Sequence, residues 1–336
     1  MTAGPTRILV TGGAGFIGSH YVRRLLGPDG PGGVAVTVLD ALTYAGNRAN
    51  LAPVAGHPHF RFVHGDICDA AVVDPLVAEH DQIVHFAAES HVDRSIAAAA
   101  DFVRTNVVGT RTLLDAALRS GLRTFVHVST DEVYGSVEQG RTPETAILRP
   151  SSPYSASKAA SDLLALSYHG THGLDVRVTR CANNYGPYHH VEKVIPLFVT
   201  RLLDGRSVPL YGDGLNVRDW LHVDDHVRAL ELVRTRGRAG EIYNIGGGTS
   251  LTNRELTARL LAATGRDWDL VEHVADRKGH DRRYAVDDTK IRRELGYEPR
   301  TDFESGLAAT VAWYRENRWW WEPLAAGTVG ASPPVA

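Results

Sequence analysis

The chain has 336 residues, of which 43% are apolar and 22% charged, and a net charge of −3, an ordinary balance for a globular protein. Lysine and arginine are scattered rather than concentrated, which argues against a nucleic-acid-binding face, and no apolar run approaches the ~20 residues of a membrane span. The two cysteines, Cys68 and Cys181, are too few and too distant for a disulfide scaffold.

Met1 to Pro5 lead straight into a strand-like run with no charged-then-apolar leader, so a reducing, cytoplasmic setting is expected. Arg7 to Thr11 is apolar and ends in glycines, and a helical stretch follows from Phe16 to Leu26. Val34 to Leu39 ends at Asp40, Phe60 to Val63 at Gly65-Asp66, and Gln82 to Phe86 at Ala87-Ala88. Phe125 to Val128 ends at Ser129, and Val176 to Thr179 at Arg180. Helical patterns lie between them, notably Asp101 to Ser120 and Tyr154 to His172. Continuous apolar strands alternating with helices predict an α/β, Rossmann-type doubly wound parallel sheet. Ligands bind at the carboxyl ends of such strands.

After Asn183 the rhythm loosens into prolines, glycines and short elements. This half reads as a smaller substrate-binding lobe. The expected division assigns 1–182 to the dinucleotide-binding domain, with 219–247 and 305–321 returning to it. Residues 183–218 and 248–304 form the lobe, and 325–336, rich in Ala, Gly, Pro and Ser, form a frayed tail. A helix is expected over 253–264 with Thr252 as its N-cap.

Gly12-Gly13-Ala14-Gly15-Phe16-Ile17-Gly18 joins the first strand to the first helix. Glycines there permit a tight turn and close approach of backbone to a pyrophosphate, and the helix N-terminus offers free N–H groups. Asp40 ends the second strand about 20 residues on, where a carboxylate binds ribose hydroxyls. Its charge would repel a 2′-phosphate, which favours NAD over NADP. Asp66 and Ile67 end the third strand and are candidates to flank the adenine.

Ser129-Thr130-Asp131-Glu132-Val133-Tyr134-Gly135 follows a buried strand. Two adjacent carboxylates there disfavour each other's ionised form, so their titrations should couple. Tyr154 and Lys158, spaced i, i+4, share one helix face, and the ammonium is expected to lower the phenol's pKa. His189-His190 are adjacent and no carboxylate or cysteine cluster has ligand spacing, so no metal is expected. Trp313, Trp319, Trp320 and Trp321 are expected to pack in a core or interface.

With these motifs in order, the sequence resembles the extended short-chain dehydrogenase/reductase family, in its nucleotide-sugar dehydratase branch. Further blocks carry the likeness: Leu42-Thr43-Tyr44-Ala45-Gly46-Asn47, Ala87 to Ser95, Ser152 to Lys158, Asn183 to Tyr188, and Gly279 to Tyr284. The resemblance implies removal of water from dTDP-glucose with NAD unchanged overall. Tyr154, helped by Lys158, would take the 4-hydroxyl proton as C4 is oxidised. Glu132 would abstract the C5 proton, Asp131 would protonate the departing 6-hydroxyl, and Thr130 would orient the substrate. The cofactor would meet Gly12, Gly15, Phe16, Ile17, Gly18, Asp40, Leu42, Thr43, Asp66, Ile67, Ala87, Ala88, Ser90, Thr105, Tyr154, Lys158 and Asn184. The sugar and phosphates would meet Ser90, Thr130, Asn183, Glu192, Lys193, Arg218, Asn253, Arg277, His280 and Tyr284, and the base Pro209, Leu210 and Tyr211. A homodimer built from the helices of 101–120 and 154–172 is also implied. His190-Val191 departs from the family pattern before Glu192-Lys193. A 4-epimerase, a decarboxylase or a UDP-glucose dehydratase of the same family, or a non-catalytic NAD-binding protein, are the competing readings.

Overall fold

The computed structural model describes residues 4–328. The chain runs β1 (Thr6–Thr11), α1 (Phe16–Leu26), β2 (Val34–Asp40), β3 (Phe60–His64), α2 (Ala70–Ala78), β4 (Gln82–His85), α3 (Val92–Ala97) and α4 (Ala99–Phe102). It continues through α5 (Thr110–Ser120), β5 (Thr124–Thr130), α6 (Pro153–His172), β6 (Val176–Cys181), β7 (Asn183–Tyr185), α7 (Val194–Leu203), β8 (Val208–Tyr211) and β9 (Val217–His222). Then come α8 (Val223–Arg236), β10 (Ile242–Ile245), β11 (Thr249–Thr252), α9 (Asn253–Thr264), β12 (Val271–Val274), α10 (Thr289–Leu295), α11 (Phe303–Glu316) and α12 (Arg318–Thr328).

Seven strands form the main sheet in the order β10-β6-β5-β4-β1-β2-β3, and every pair in it is parallel. The helices between them cover both faces, which is why the strands read as apolar runs rather than alternating ones. Two small sheets, β11-β9-β7 and β12-β8, sit beside it. The order reverses between β1 and β4, and crevices for ligands form at such a reversal. α6 starts with a reciprocal capping box between Ser152 and Ser155 and with Pro153 in its first turn, so its register is set before Tyr154 and Lys158 are placed. Thr252 and Glu255 cap α9 in the same way, as expected.

The structure alters several expectations. The stretch 101–120 is helical throughout, but Val103–Gly109 is a wide π turn between α4 and α5, a feature that residue periodicity does not reveal. Residues 219–222 belong to the small sheet as part of β9, with Leu221 already packed into the main core alongside Val223, Val227, Leu230 and Val233 of α8. Segment 305–321 does not return. Phe303, Leu307, Val311, Tyr314, Trp320 and Trp321 pack with Phe198, Leu202, Trp220 and Leu256 in a second core, because their aromatic bulk fills the space between α7 and α9. Trp319 is 61% exposed, unlike its neighbours. Residues 325–328 continue α12 rather than fraying, and 329–336 lie outside the described residues.

Candidate functional site

Gly12 has φ of +67°, and a Cβ there would lie 2.5 Å from the Ala87 nitrogen. A Cβ on Gly18 would lie 2.4 Å from the Gly12 carbonyl oxygen. Main chain stands in both places and cannot move aside, so the turn closes only with glycine. Above it opens a cavity of about 770 Å³. Its walls include Gly12, Gly15, Phe16, Ile17, Gly18, Asp40, Thr43, Asp66, Ile67, Ala87, Ala88, Thr105, Tyr154, Lys158 and Asn184. Asp40 is buried and accepts the Ala14 and Leu42 amides, each at 2.8 Å, one on each oxygen. Each oxygen keeps a further acceptor position for a ribose hydroxyl. The glycine cradle, the helix N-terminus and this carboxylate therefore fit a dinucleotide without a 2′-phosphate. Leu42 is the exception among the expected contacts: with φ of +51° it turns its side chain into the main core and does not line the cavity. Substituting Gly18 by Ala should cost roughly 1–3 kcal/mol of fit, which is a loss of NAD affinity of about 5- to 150-fold by calorimetric titration.

A second cavity of about 200 Å³ adjoins the first, lined by Pro209, Leu210, Tyr211, Arg218, Asn253, Arg277, His280 and Tyr284 among others. Ser90, Glu132, Asn183 and Lys193 line both. Arg218 lies over the Tyr284 ring at 4.3 Å and donates to the Asp281 carbonyl at 3.0 Å. Arg277 pairs with Asp93 at 3.3 Å. Both guanidiniums thus line this cavity from fixed supports, where a planar fork suits an anionic group. Glu192 also lines this cavity, and it carries a short ion pair to Arg94, 2.5 Å. Arg94 in turn covers the Tyr44 ring at 4.3 Å, and Tyr44 meets His190 edge-on at 5.6 Å. Sequence reading missed Arg94 and Asp93, because only folding brings α3 against the loop before α7. His189 stacks on Phe16 at 4.2 Å, and Val191 is a core residue.

Thr130, Asp131, Glu132, Tyr154 and Lys158 all line the larger cavity, and Glu132 of these also lines the second. Thr130 ends β5 and accepts the Glu132 amide at 3.2 Å, so it caps a single 3-10 turn that holds the two carboxylates apart. Its hydroxyl also donates to Asp131 at 3.3 Å. Asp131 is 3% exposed and is pushed far above the usual carboxylate range by burial first, then by Glu132 and Asp219. Glu132 is deep but borders both cavities, and burial raises it while Arg218, Lys193 and Arg277 pull it down. Both carboxyls are raised, Asp131 the further, and only Glu132 has several cations pulling against its burial, which is the direction of separation an acid–base pair needs.

The Tyr-Lys pair departs from expectation. Tyr154 is raised well above the ordinary phenol value, by burial first and then by the charge of Glu132. Lys158 is buried and donates to the Val128 carbonyl at 2.9 Å, and burial lowers its own pKa. Desolvation outweighs the attraction that spacing alone suggested.

A dinucleotide cradle that opens, past an acid, a base and a Tyr-Lys pair, onto an arginine-lined cleft defines an enzyme of the dehydrogenase/reductase class that works on nucleotide-linked sugars. Comparison with known proteins agrees: the chain belongs to the family described as GDP-mannose 4,6 dehydratase, whose family model matches residues 9–310. It is 68% identical to the dTDP-glucose 4,6-dehydratase of Streptomyces griseus over 95% of this chain and 97% of that protein. It is 65% identical to the enzyme of that name from Streptomyces antibioticus over 97% of this chain and 98% of that one. Among solved structures, DesIV, a dTDP-glucose 4,6-dehydratase from Streptomyces venezuelae with NAD bound, matches with a TM-score of 0.93 at 64% identity, covering 95% of this chain and 100% of that chain.

Proposed function

We propose that the chain is an NAD-dependent hydro-lyase that converts dTDP-glucose to dTDP-4-keto-6-deoxyglucose, in deoxysugar biosynthesis. The observation that carries this is the placement of Asp131 and Glu132. The two carboxyls line the larger cavity together with Tyr154, Asp131 pushed further above the ordinary range than Glu132, and Glu132 also borders the second cavity. Oxidation alone uses the tyrosine; loss of water needs a separate acid and base.

The glycine turn, Asp40 and the walls of the larger cavity would hold NAD, which when bound would supply a hydride acceptor for C4, the donor for C6, and a positive charge that lowers the cost of a phenolate. Tyr154 takes the proton of the 4-hydroxyl, and Lys158, fixed to Val128, supports that step from below. The resulting ketone acidifies C5–H, and Glu132 removes that proton. Asp131 gives its proton to the 6-hydroxyl, so the C6–O bond breaks and water leaves. Glu132 then returns its proton to C5 as C6 is reduced. The proton taken by Tyr154 and the one lost from Asp131 balance, so exchange between them through solvent restores the enzyme. Thr130 holds the geometry of the carboxylates, and Arg218 and Arg277 hold the diphosphate.

Incubation with dTDP-glucose should give a product with the strong alkaline absorbance of a 4-keto-6-deoxy sugar. UDP-glucose, which lacks the methyl on the base and carries a 2′-hydroxyl on its ribose, should turn over at least several-fold less efficiently, since the methyl contact alone is worth ~1–3 kcal/mol. A 4-epimer or a pentose as the product would sink the reading.

The enzyme is proposed to work in the cytoplasm as a homodimer. Val103 and Val108, on the π turn, are 51% and 40% exposed, and Leu163 on α6 is 60% exposed. The π turn and α6 pack side by side, so these residues form an apolar face suited to a second copy. Light scattering of the parent should give twice the chain mass, and Val103→Glu with Leu163→Glu should give the monomer mass. An unchanged mass in that variant would place the interface elsewhere.

A further inference from the structure

Neither ring nitrogen of His189 has a hydrogen-bond partner among the described residues, and Nδ1 is buried. Nothing in the mechanism above uses this side chain, yet its place is closely fixed. Its ring lies flat on that of Phe16, with centroids 4.2 Å apart and planes 12° from parallel. Its carbonyl accepts from the Tyr314 hydroxyl of α11 at 2.5 Å. The residue before it, Tyr188, has φ of +64°, a left-handed backbone that a side chain of this size adopts only when its surroundings impose it. Trp313 at 4.5 Å, Trp320 at 5.6 Å and the Arg23 guanidinium at 4.3 Å hold the Tyr188 ring. The loop thus bears strain while it presses the His189 ring against the first residue of α1.

That residue defines what lies beside the ring. Gly15 caps α1 without a side chain, so the amides of Phe16 and Ile17 open the helix with no intrahelical partner, where an anion binds. His189, Phe16 and Ile17 line the same cavity. A proton on the enclosed Nδ1 would be a bare buried N–H, which is rarer than a bare acceptor. The proton is therefore assigned to Nε2, the nitrogen left accessible. Burial first, then Lys193, His190 and His20, hold the ring well below the ordinary histidine pKa, so it is neutral and has that single N–H to give. His190 does not share the place: it meets the Tyr44 ring edge-on, and its Nδ1 accepts the Glu192 amide at 3.4 Å.

We propose that His189 is a further cofactor-binding residue, whose Nε2–H donates to the pyrophosphate of the dinucleotide alongside the amides that open α1. This rests on the reading of the glycine turn as a dinucleotide cradle.

In His189→Phe the stack on Phe16 can persist while the N–H is lost. Calorimetric titration of the full chain, freed of nucleotide, should show an affinity for ADP about 10- to 100-fold lower than the parent's, the range for a hydrogen bond to a charged group. Affinity for adenosine, which carries no phosphate, should be unchanged. His189→Gln, which keeps a side-chain N–H, should recover part of the loss. Without nucleotide, His189→Phe should unfold at a temperature no lower than the parent, since a buried nitrogen without a partner has been removed. The parent itself supplies a test that holds even if His189→Phe does not fold: with 15N-labelled histidine and NAD bound, nuclear magnetic resonance should find the His189 proton on Nε2. Parent-like ADP affinity in His189→Phe, equal losses for ADP and adenosine, or a proton on Nδ1 in the bound parent would overturn the proposal. If the parent binds neither ADP nor NAD, the reading of the cradle fails and not merely the role given to His189.

Discussion

Replacing Glu132 with Gln should lower formation of the 4-keto-6-deoxy product by about 10²–10⁴-fold, the usual contribution of a positioned acid or base. Replacing Asp131 with Asn should cost as much, but at a different step. The two are separable by running the reaction in deuterated water and recovering the sugar. Glu132→Gln should return glucose without deuterium at C5, because nothing removes that proton. Asp131→Asn should return glucose carrying deuterium at C5, because abstraction proceeds while the 6-hydroxyl stays. Both changes are close to isosteric, and the Glu132 amide that Thr130 caps is main chain, so the turn should persist in each. Deuterium at C5 in Glu132→Gln, or parent-like turnover in either variant, would show that the roles are wrongly assigned.

Asp162→Ala should destabilise the fold by roughly 3–5 kcal/mol, the range for breaking a buried ion pair by removing one partner. Asp162 is wholly buried and accepts from Arg180 Nε at 2.9 Å, while its other oxygen lies 3.3 Å from His127. Arg180 also donates to the Tyr134 hydroxyl at 2.9 Å. With Asp162 gone, a guanidinium that cannot lose its charge would remain inside the protein between α6 and β6. The loss is a large part of an ordinary stability of about 5–15 kcal/mol. Denaturant titration should show a lower midpoint at an unchanged slope. Asp162→Asn, which keeps an acceptor for Arg180, should lose less. The pH dependence has a definite sign. Burial pushes the Asp162 carboxyl up, but His127, Arg180 and Lys158 together hold it below the ordinary value. Its contribution is therefore present above the unfolded carboxylate range and is lost as pH falls through the lower, folded value. An Asp162→Ala protein as stable as the parent would mean the pair only breaks even against a cavity.

Much of this was legible from residue order because it depends on neighbours in the chain. α1 and α9 fall on the expected residues, since their ends are set by a glycine turn and by a local capping box. Asp40, the glycines, Thr130 to Glu132 and Tyr154-Lys158 all lie at strand ends or on one helix face, where strand-helix alternation alone delivers them to a common edge. The π turn at 103–109 was not legible, since its spacing serves packing against α6 rather than any pattern of its own.

Sequence by itself determined the sheet and its cofactor cradle, and it placed Thr130 to Glu132 at a strand end and Tyr154 and Lys158 on one helix face, because each is encoded by short-range geometry: tight turns, caps, and the i, i+4 and strand periods. Tertiary structure alone decided how those groups are charged. Burial, summed over every element packed around a residue, raises Tyr154 where the nearby lysine would lower it. It also raises Asp131 further than Glu132, and folding brings Arg94 and Asp93 from α3 to Glu192 and Arg277. Desolvation and Coulomb energies depend on distances through space, and those exist only once the chain has closed on itself.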